Sequence, residues 1–243
     1  MPNGMEANGS YPGGGAWFPL DENDPTMGVS DVAVQYTGQC TGACPASVPG
    51  AQGIGRGFKF AGEQLRIPGL PEPDDKTGYT VGVWARLDSF PPGDTVDTSY
   101  ACAVAKPNLS MPRLEPSDGD SYALCVDLAH RVYVYTTSDA AATTMTAMGP
   151  RAELASTGEW HHLATTLDPA CRRQILYVDG CRVNVATDID VRFDPSAVFV
   201  GADNLGTTGA APAYFWTGVL DEVLLFRRAL SDVEIKRLAA SRL

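Results

Sequence analysis

Gln174-Ile-Leu-Tyr-Val-Asp-Gly-Cys-Arg-Val-Asn-Val185 holds two apolar, largely β-branched runs joined by Asp179-Gly180. Asp and Gly both tolerate the positive φ that a two-residue hairpin turn demands, so the stretch predicts antiparallel strands over 174–178 and 181–186. Working outward, similar short runs bounded by Gly, Pro or Asp recur at 16–20, 57–60, 64–67, 79–87, 100–105, 121–127, 131–136, 160–167, 197–201 and 215–226. Residues 1–15 read as a flexible linker and 37–57 as loop, because both are Gly-rich and lack any apolar period. One helix is expected near the end. Ser231 and Glu234 have the spacing of a capping box, Leu230 and Ile235 that of its hydrophobic staple, and Val233, Leu238 and Ala239 add to the apolar side. About twelve strands without βαβ alternation predict an all-β, two-sheet antiparallel jelly-roll sandwich, one domain over 16–243 with a short C-terminal helix.

Composition narrows the partners. The 18 Lys and Arg stand against 29 Asp and Glu, a net charge of -11, and the first cation is Arg56. Nucleic acid and anionic membrane surfaces both need clustered cations, so neither is an expected partner. No apolar run approaches the roughly 18 residues of a membrane span, so membrane insertion is not expected either. Six cysteines, an even number, point to an oxidising compartment and hence to a secreted or cell-surface protein. Met1 to Gly15 is polar where a signal peptide would be apolar, so no signal peptide is read in this chain.

Cys102 and Cys125 lie on successive predicted strands, where an antiparallel pair can bring them to bridging distance. Cys171 and Cys181 fall at opposite ends of one strand of the hairpin. About 3.3 Å per residue separates them by on the order of 20 Å, beyond a bridge's reach of about 7 Å, so each needs a distant partner or stays reduced. Cys40 and Cys44 remain either to join each other or to serve as those partners.

Three further stretches are specific enough to suggest a family. Gly158-Glu-Trp-His-His-Leu-Ala164, Leu176-Tyr-Val-Asp-Gly180 and Gly218-Val-Leu-Asp-Glu-Val-Leu-Leu-Phe-Arg-Arg-Ala-Leu-Ser231, with Glu234-Ile235 after it, resemble the laminin-G-like branch of the concanavalin A-like lectin/glucanase superfamily. Trp17-Phe-Pro-Leu-Asp-Glu22, Gly55-Arg-Gly-Phe-Lys-Phe60 and Tyr79-Thr-Val-Gly-Val-Trp84 are similar to its earlier strands. The fold hosts binding modules, adhesion domains and hydrolases, so function has to come from the site.

Glycoside hydrolysis needs two carboxylates about 5–9 Å apart. The Glu-x-Asp-x-x-Glu strand of the hydrolases that share this fold is missing, its nearest approach being Glu72-Pro-Asp74 in a Pro-rich loop. Arg151-Ala-Glu-Leu154 and Tyr214-Phe-Trp-Thr-Gly-Val219 are similar to fragments of alginate lyases, without the Gln-Ile-His segment that would accompany them. His161 and His162 are adjacent, so on a strand they face opposite ways and cannot share a metal. The chain is therefore expected to be no enzyme.

The resemblance implies a structural calcium where the opening strand, the turn after the second strand and the last strand meet. The matching positions are Asp21, Glu22, Gly62, Glu63 and Asp221. Asp221 stands inside an apolar strand, where burial is costly unless the carboxylate is paired or metal-bound; an arginine partner or backbone donors would serve equally. Trp84 and Trp160 have core-like neighbours. Asp203, Asn204, Tyr214 and Trp216 border a Gly/Ala/Thr-rich loop and are the candidate ligand-binding residues, aromatic faces meeting sugar C–H surfaces while Asp and Asn read hydroxyls. The expected function is a non-catalytic extracellular recognition module for a glycan; a protein-binding adhesion or assembly module, taking a cell-surface protein, is the alternative.

Overall fold

The computed structural model describes residues 14–73, 76–93, 99–108, 120–138, 146–147, 151–153, 156–191, 193–203 and 213–241. In chain order the strands are β1 (Ala16–Phe18), β2 (Val29–Ser30), β3 (Thr37–Cys40), β4 (Ala46–Pro49), β5 (Arg56–Ala61), β6 (Leu65–Ile67), β7 (Tyr79–Leu87), β8 (Tyr100–Pro107) and β9 (Asp120–Asp127). They continue with β10 (Arg131–Tyr135), β11 (Thr137–Ser138), β12 (Thr146–Ala147), β13 (Arg151–Glu153), β14 (Trp160–Asp168), β15 (Arg173–Val178), β16 (Cys181–Thr187), β17 (Val198–Val200) and β18 (Thr217–Phe226). The helix α1 spans Asp232–Ala240.

Two antiparallel eight-stranded sheets result. The first runs β16-β15-β14-β7-β18-β5-β4, with β1 also on β18; the second runs β13-β10-β9-β8-β17-β6-β3-β2. Between them lies one core, to which Phe58, Phe60, Val83, Leu124, Val134, Leu176 and Trp216 contribute fully buried side chains. Strands β7, β8, β9 and β18 are buried along almost their whole length, so each sheet is covered on its outer face as well. That is why these strands read as continuous apolar runs and not as alternating ones.

The predicted hairpin forms as read, with positive φ at Asp179 (51°) and Gly180 (75°) and Val178 paired to Cys181. The helix forms too, its capping box complete in both directions, and Ile235 and Leu238 pack on Tyr177, Ile175, Leu224 and Phe226 of the first sheet. One expectation fails: 37–57 contains β3 and β4, which pair with β6 and β5. Thr-Gly-Gln-Cys and Ala-Ser-Val-Pro have little strand propensity of their own. A neighbouring edge with unpaired backbone groups supplies the partner that local sequence cannot advertise.

Cys102 and Cys125 are directly opposite across β8 and β9 and are bridged. Cys40 and Cys44 bridge each other, and Cys171 and Cys181, which the hairpin register keeps from bridging each other, are both free and exposed. No helix among the described residues is long and apolar enough to cross a membrane.

Candidate functional site

Two outer-face features carry unusual chemistry. The first is a bulge in β18. Asp221 pairs with Trp84 and Leu224 with Gly82, so Glu222 and Val223 together face the single residue Val83. Val223 and Val83 point into the core, and Glu222 takes φ 53°. The extra residue cancels the usual alternation, and Asp221 and Glu222 emerge side by side on the outer face. Both are buried, lining a small cleft with Trp84, Ile54 and Ser241.

The loop between β4 and β5 closes over them. The Ala51 amide donates to Asp221 Oδ2 at 2.8 Å, the Arg56 amide donates to Asp21 Oδ1 at 2.6 Å, and the Trp17 indole donates to Glu222 Oε2. A side chain on Gly50 would meet the carbonyl oxygens of Ile54 and Arg56 at 2.4 and 2.7 Å and Asp221 Oδ2 at 2.7 Å; one on Gly55 would meet Asp21 Oδ1 at 2.4 Å. At Gly50 the backbone carbonyls leave no room for a side chain, and at Gly55 the φ of 58° as well as the Asp21 carboxylate disfavours one. Burial pushes Asp221 up to about 7, with the charge of Asp21 adding to it against the Ala51 and Glu222 amides. Burial, then repulsion from Asp221, pushes Glu222 up to about 8.

The donors at this spot are all oxygen, and Asp221 Oδ1 is buried with no hydrogen-bond partner. That is the chemistry a calcium ion uses. Among the described residues no three His, Cys, Asp or Glu side chains already surround one point, so backbone carbonyls would have to share the coordination. Of the expected metal positions, Asp21 and Asp221 come together here. Glu22 lies beside them in sequence but turns to the β2 side, its Oε1 accepting from the Ser30 amide at 3.0 Å and its Oε2 buried without a partner. Gly62 and Glu63 do not join: Ala61 pairs with Thr217, four residues from Asp221, about 13 Å along an extended strand. Glu63 instead caps its own turn, accepting from the Ala61 amide at 2.6 Å. The turn at the other end of β5 is the one that meets Asp221.

The second feature is on the outside of the second sheet. Tyr133, Tyr100 and Tyr214 form a row, each neighbouring pair edge-to-face with centroids 5.3 Å apart, packed on the Cys102–Cys125 bridge. The Cys102 amide donates to the Tyr214 carbonyl at 2.8 Å, which holds Tyr214 at φ 52° beside the bridge. Tyr100 and Tyr214 are half-buried, so part of each ring meets solvent. Of the four candidate ligand residues, Tyr214 is thus placed on an accessible face and Asp203 is buried nearby, bridged to Ala213. Trp216 is fully buried in the main core and has no face to offer a ligand, because one residue past Phe215 the chain turns inward. Asn204 lies outside the described residues.

The histidines divide as the strand geometry predicts. His162 is buried edge-on to Trp84 at 5.6 Å, and burial lowers it to about 4; His161 Nδ1 contacts Asp179 Oδ2 at 2.9 Å, and that hydrogen bond raises it. Trp84 is buried, yet it borders the acidic cleft on the outer face, and Trp160 is only half-buried, under the Arg86 guanidinium. Trp84 is thus buried as expected, whereas Trp160 departs from the core placement expected of it. Of the fragments weighed for catalysis, Glu153 is exposed on β13, and Asp74 and Leu154 lie outside the described residues.

Sequence reading missed Glu222, Gly50, Gly55, Tyr100 and Tyr133. The adjacent acids in Leu220-Asp-Glu-Val223 were a usable signal, since two successive carboxylates in an apolar strand imply a bulge or a polar partner. Tyr100 and Tyr133 carried no such mark.

This sandwich, with its two outer-face features, is a lectin-type jelly roll. The chain belongs to the concanavalin A-like lectin/glucanases superfamily, whose laminin-G profile matches residues 61–236. No curated protein sequence matches it. Among solved structures it is similar to Trypanosoma rangeli sialidase in complex with a difluoro-KDN compound, at 17% identity and TM-score 0.62, covering 92% of this chain and 32% of that one. It is also similar to domain 4 of AbnA, a GH43 extracellular arabinanase from Geobacillus stearothermophilus in complex with arabinotriose, at 18% identity and TM-score 0.59, covering 92% and 97%. The binding domain of Paraclostridial Mosquitocidal Protein 1 is similar at 11% identity and TM-score 0.63, covering 92% and 51%. At these identities the likeness concerns the fold. The chain thus spans about a third of the sialidase and half of the mosquitocidal binding domain.

Proposed function

We propose that this chain is a non-catalytic carbohydrate-recognition module of a secreted or cell-surface protein, stabilised by calcium. The observation that carries the reading is the half-buried Tyr100–Tyr214 pair, fixed by a disulfide and a backbone hydrogen bond on the outside of a rigid sheet. Half-buried, rigidly held aromatic rings suit the apolar C–H surface of a sugar. Arabinotriose in the complex of the arabinanase domain agrees with it. Two disulfides agree with export. The acidic balance of the chain makes nucleic acid a poor partner.

Asp21, Asp221 and the carbonyls of Ile54 and Arg56 would hold the calcium, with Glu222 beside them. When bound, the ion neutralises carboxylates that burial otherwise drives toward protonation. Its role is structural: it ties the β4–β5 loop to β18 and to the segment after β1.

A glycan array, followed by calorimetric titration of any hit with and without calcium, tests the reading. Binding that Tyr100→Ala and Tyr214→Ala each weaken while the melting temperature holds supports it. Release of reducing sugar from the bound glycan overturns the non-catalytic part, and silence across the array overturns glycan recognition. A protein-binding adhesion module is the second reading, favoured by Met27 and Val34, which are 85% and 77% exposed, with Val34 held at φ 56°. Capture of a surface protein that Met27→Ser and Val34→Gly abolish would shift the assignment there.

A further inference from the structure

A strand at the end of a sheet leaves backbone groups over on one side, and proteins usually blunt it by shortening it, covering it or placing Pro or Lys there. Three of the four terminal strands here are short: β2 has two residues, β13 three, and β4 four with Pro49 at its end. β16 is the exception. It runs seven residues, Cys181–Thr187, holds no Pro or Lys, and among the described residues pairs with β15 alone. Six of the seven are exposed, Val183 and Val185 at 42% and 38%. The Val185 amide donates to the side chain of its own neighbour, Asn184 Oδ1 at 2.7 Å, a local substitute for a strand partner. The one irregularity, an extra residue at Val183, lies toward the Cys181 end and leaves 184–187 regular.

The sequence on this edge is complementary to itself. Val185 stands at the middle of Arg182-Val-Asn-Val-Ala-Thr-Asp188, with a cation three residues before it and an acid three residues after. Arg182 and Asp188 are both exposed, and neither makes an ion pair among the described residues. Two copies laid antiparallel about a twofold axis at Val185 set Val185 against Val185, Val183 against Thr187, and each Arg182 toward Asp188 of the other copy. An unrelated strand has no reason to match both charges at this spacing, whereas a second copy does so by symmetry.

We propose that β16 is a self-association edge, through which two copies of the chain join their first sheets into one continuous antiparallel sheet. Each copy offers one such strand, so the assembly closes at two. One strand edge is a smaller contact than a permanent dimer buries, so the association is reversible and follows concentration. The free thiol of Cys181 is not the link: pairing about Val185 leaves the two Cys181 residues eight positions apart, about 26 Å along the strands and beyond a disulfide's reach. The tyrosine row is on the outside of the other sheet, so the proposal does not depend on what that row recognises.

Sedimentation velocity on the full chain at low salt, from low micromolar to near-millimolar concentration, tests this. The mass should rise from that of one chain to that of two, with a single-chain band on a non-reducing denaturing gel. Val185→Lys sets two ammonium groups against each other at the axis and should abolish the dimer. Arg182→Glu and Asp188→Lys each oppose like charges and should weaken it by about tenfold. Mixed in equal amounts, these two variants should recover the parent affinity, because each then meets the opposite sign in the other. Should Asp188→Lys disturb the left-handed backbone there (φ 61°), Asp188→Asn tolerates it, removes only the charge and should weaken the dimer by less. A single-chain mass at every concentration, a covalent dimer, a dimer indifferent to Val185→Lys, or a mixture no tighter than its parts while melting temperatures hold overturns the proposal. Growth beyond two chains overturns the closed twofold.

Discussion

Outside the first sheet, Ile235 and Leu238 of α1 close over Ile175, Tyr177, Leu224 and Phe226; outside the second, tyrosines lie on a cross-strand disulfide, and no helix among the described residues covers them. The inner faces are alike, two apolar surfaces merged into one core. The difference teaches how a sheet buried on both sides can be finished. A helix supplied by the next stretch of chain covers its face with ordinary apolar packing and leaves room at its end for the buried acids of the bulge. A face without a helix is tied across two of its strands by a covalent link, and its aromatic cover stays partly open to solvent.

The largest effect expected from breaking this contrast is at the bulge. In chelator, Asp221 and Glu222 bind protons in the folded state up to about pH 7 and 8, whereas the unfolded chain releases them near the ordinary carboxylate values of 3.8 and 4.5. The folded state therefore holds more protons across that window, so stability is fully present below about pH 4, falls as pH rises, and levels off above about pH 8. Denaturant titrations across this range should show a loss of several kcal/mol, and Asp221→Asn with Glu222→Gln should flatten the curve. Added calcium should reverse the slope by favouring the ionised forms. A flat profile in chelator would mean that the acids are not desolvated as described.

Next in size is the helix cover. Ile235→Ala empties a fully buried position and should cost about 2–5 kcal/mol by urea unfolding, while leaving ligand affinity at the tyrosine row unchanged. On the opposite face, Cys102→Ala with Cys125→Ala should cost about 3 kcal/mol from loop closure and, unlike Ile235→Ala, should also weaken glycan binding. The Cys40–Cys44 bridge closes a loop of only four residues' separation, so removing it should cost less, about 2 kcal/mol. The smallest effect is at the helix cap: Ser231→Ala removes the acceptor for the Glu234 amide and should cost about 1 kcal/mol, seen as early loss of helical signal on heating. If the two faces responded alike to these changes, the distinction between a packed cover and a tethered one would fail.

Much of the fold is local enough to read from sequence. Asp179-Gly180 specifies its turn through backbone sterics, Ser231 and Glu234 specify a helix start through hydrogen bonds three residues apart, and the apolar runs of β7, β9 and β14 mark strands because only strands of that length can bury them. That Cys171 and Cys181 do not bridge each other follows from the same hairpin, since chain extension alone keeps them apart; that both stay free was decided by the Cys40–Cys44 bridge.

What tertiary structure decided are the relations between distant segments. Asp221 and Glu222 share a face only because β18 carries one residue more than β7 between two fixed pairs, and alternation along one strand cannot reveal a count made against another. Gly50 and Gly55 matter because Asp21, Ile54, Arg56 and Asp221 converge on them, which is a property of the closed loop. Trp216 and Tyr214 stand two residues apart, and one is core while the other is surface, because the chain crosses from the outer edge to the sheet interior between them. Lys106 reads as an ordinary cation at a strand end, yet it is buried, with its ammonium donating to the carbonyls of Asp194 and Ser196 from a distant segment. Local sterics and hydrogen bonding are written in a few consecutive residues, whereas burial, register between strands and the pairing of charges depend on which surfaces meet.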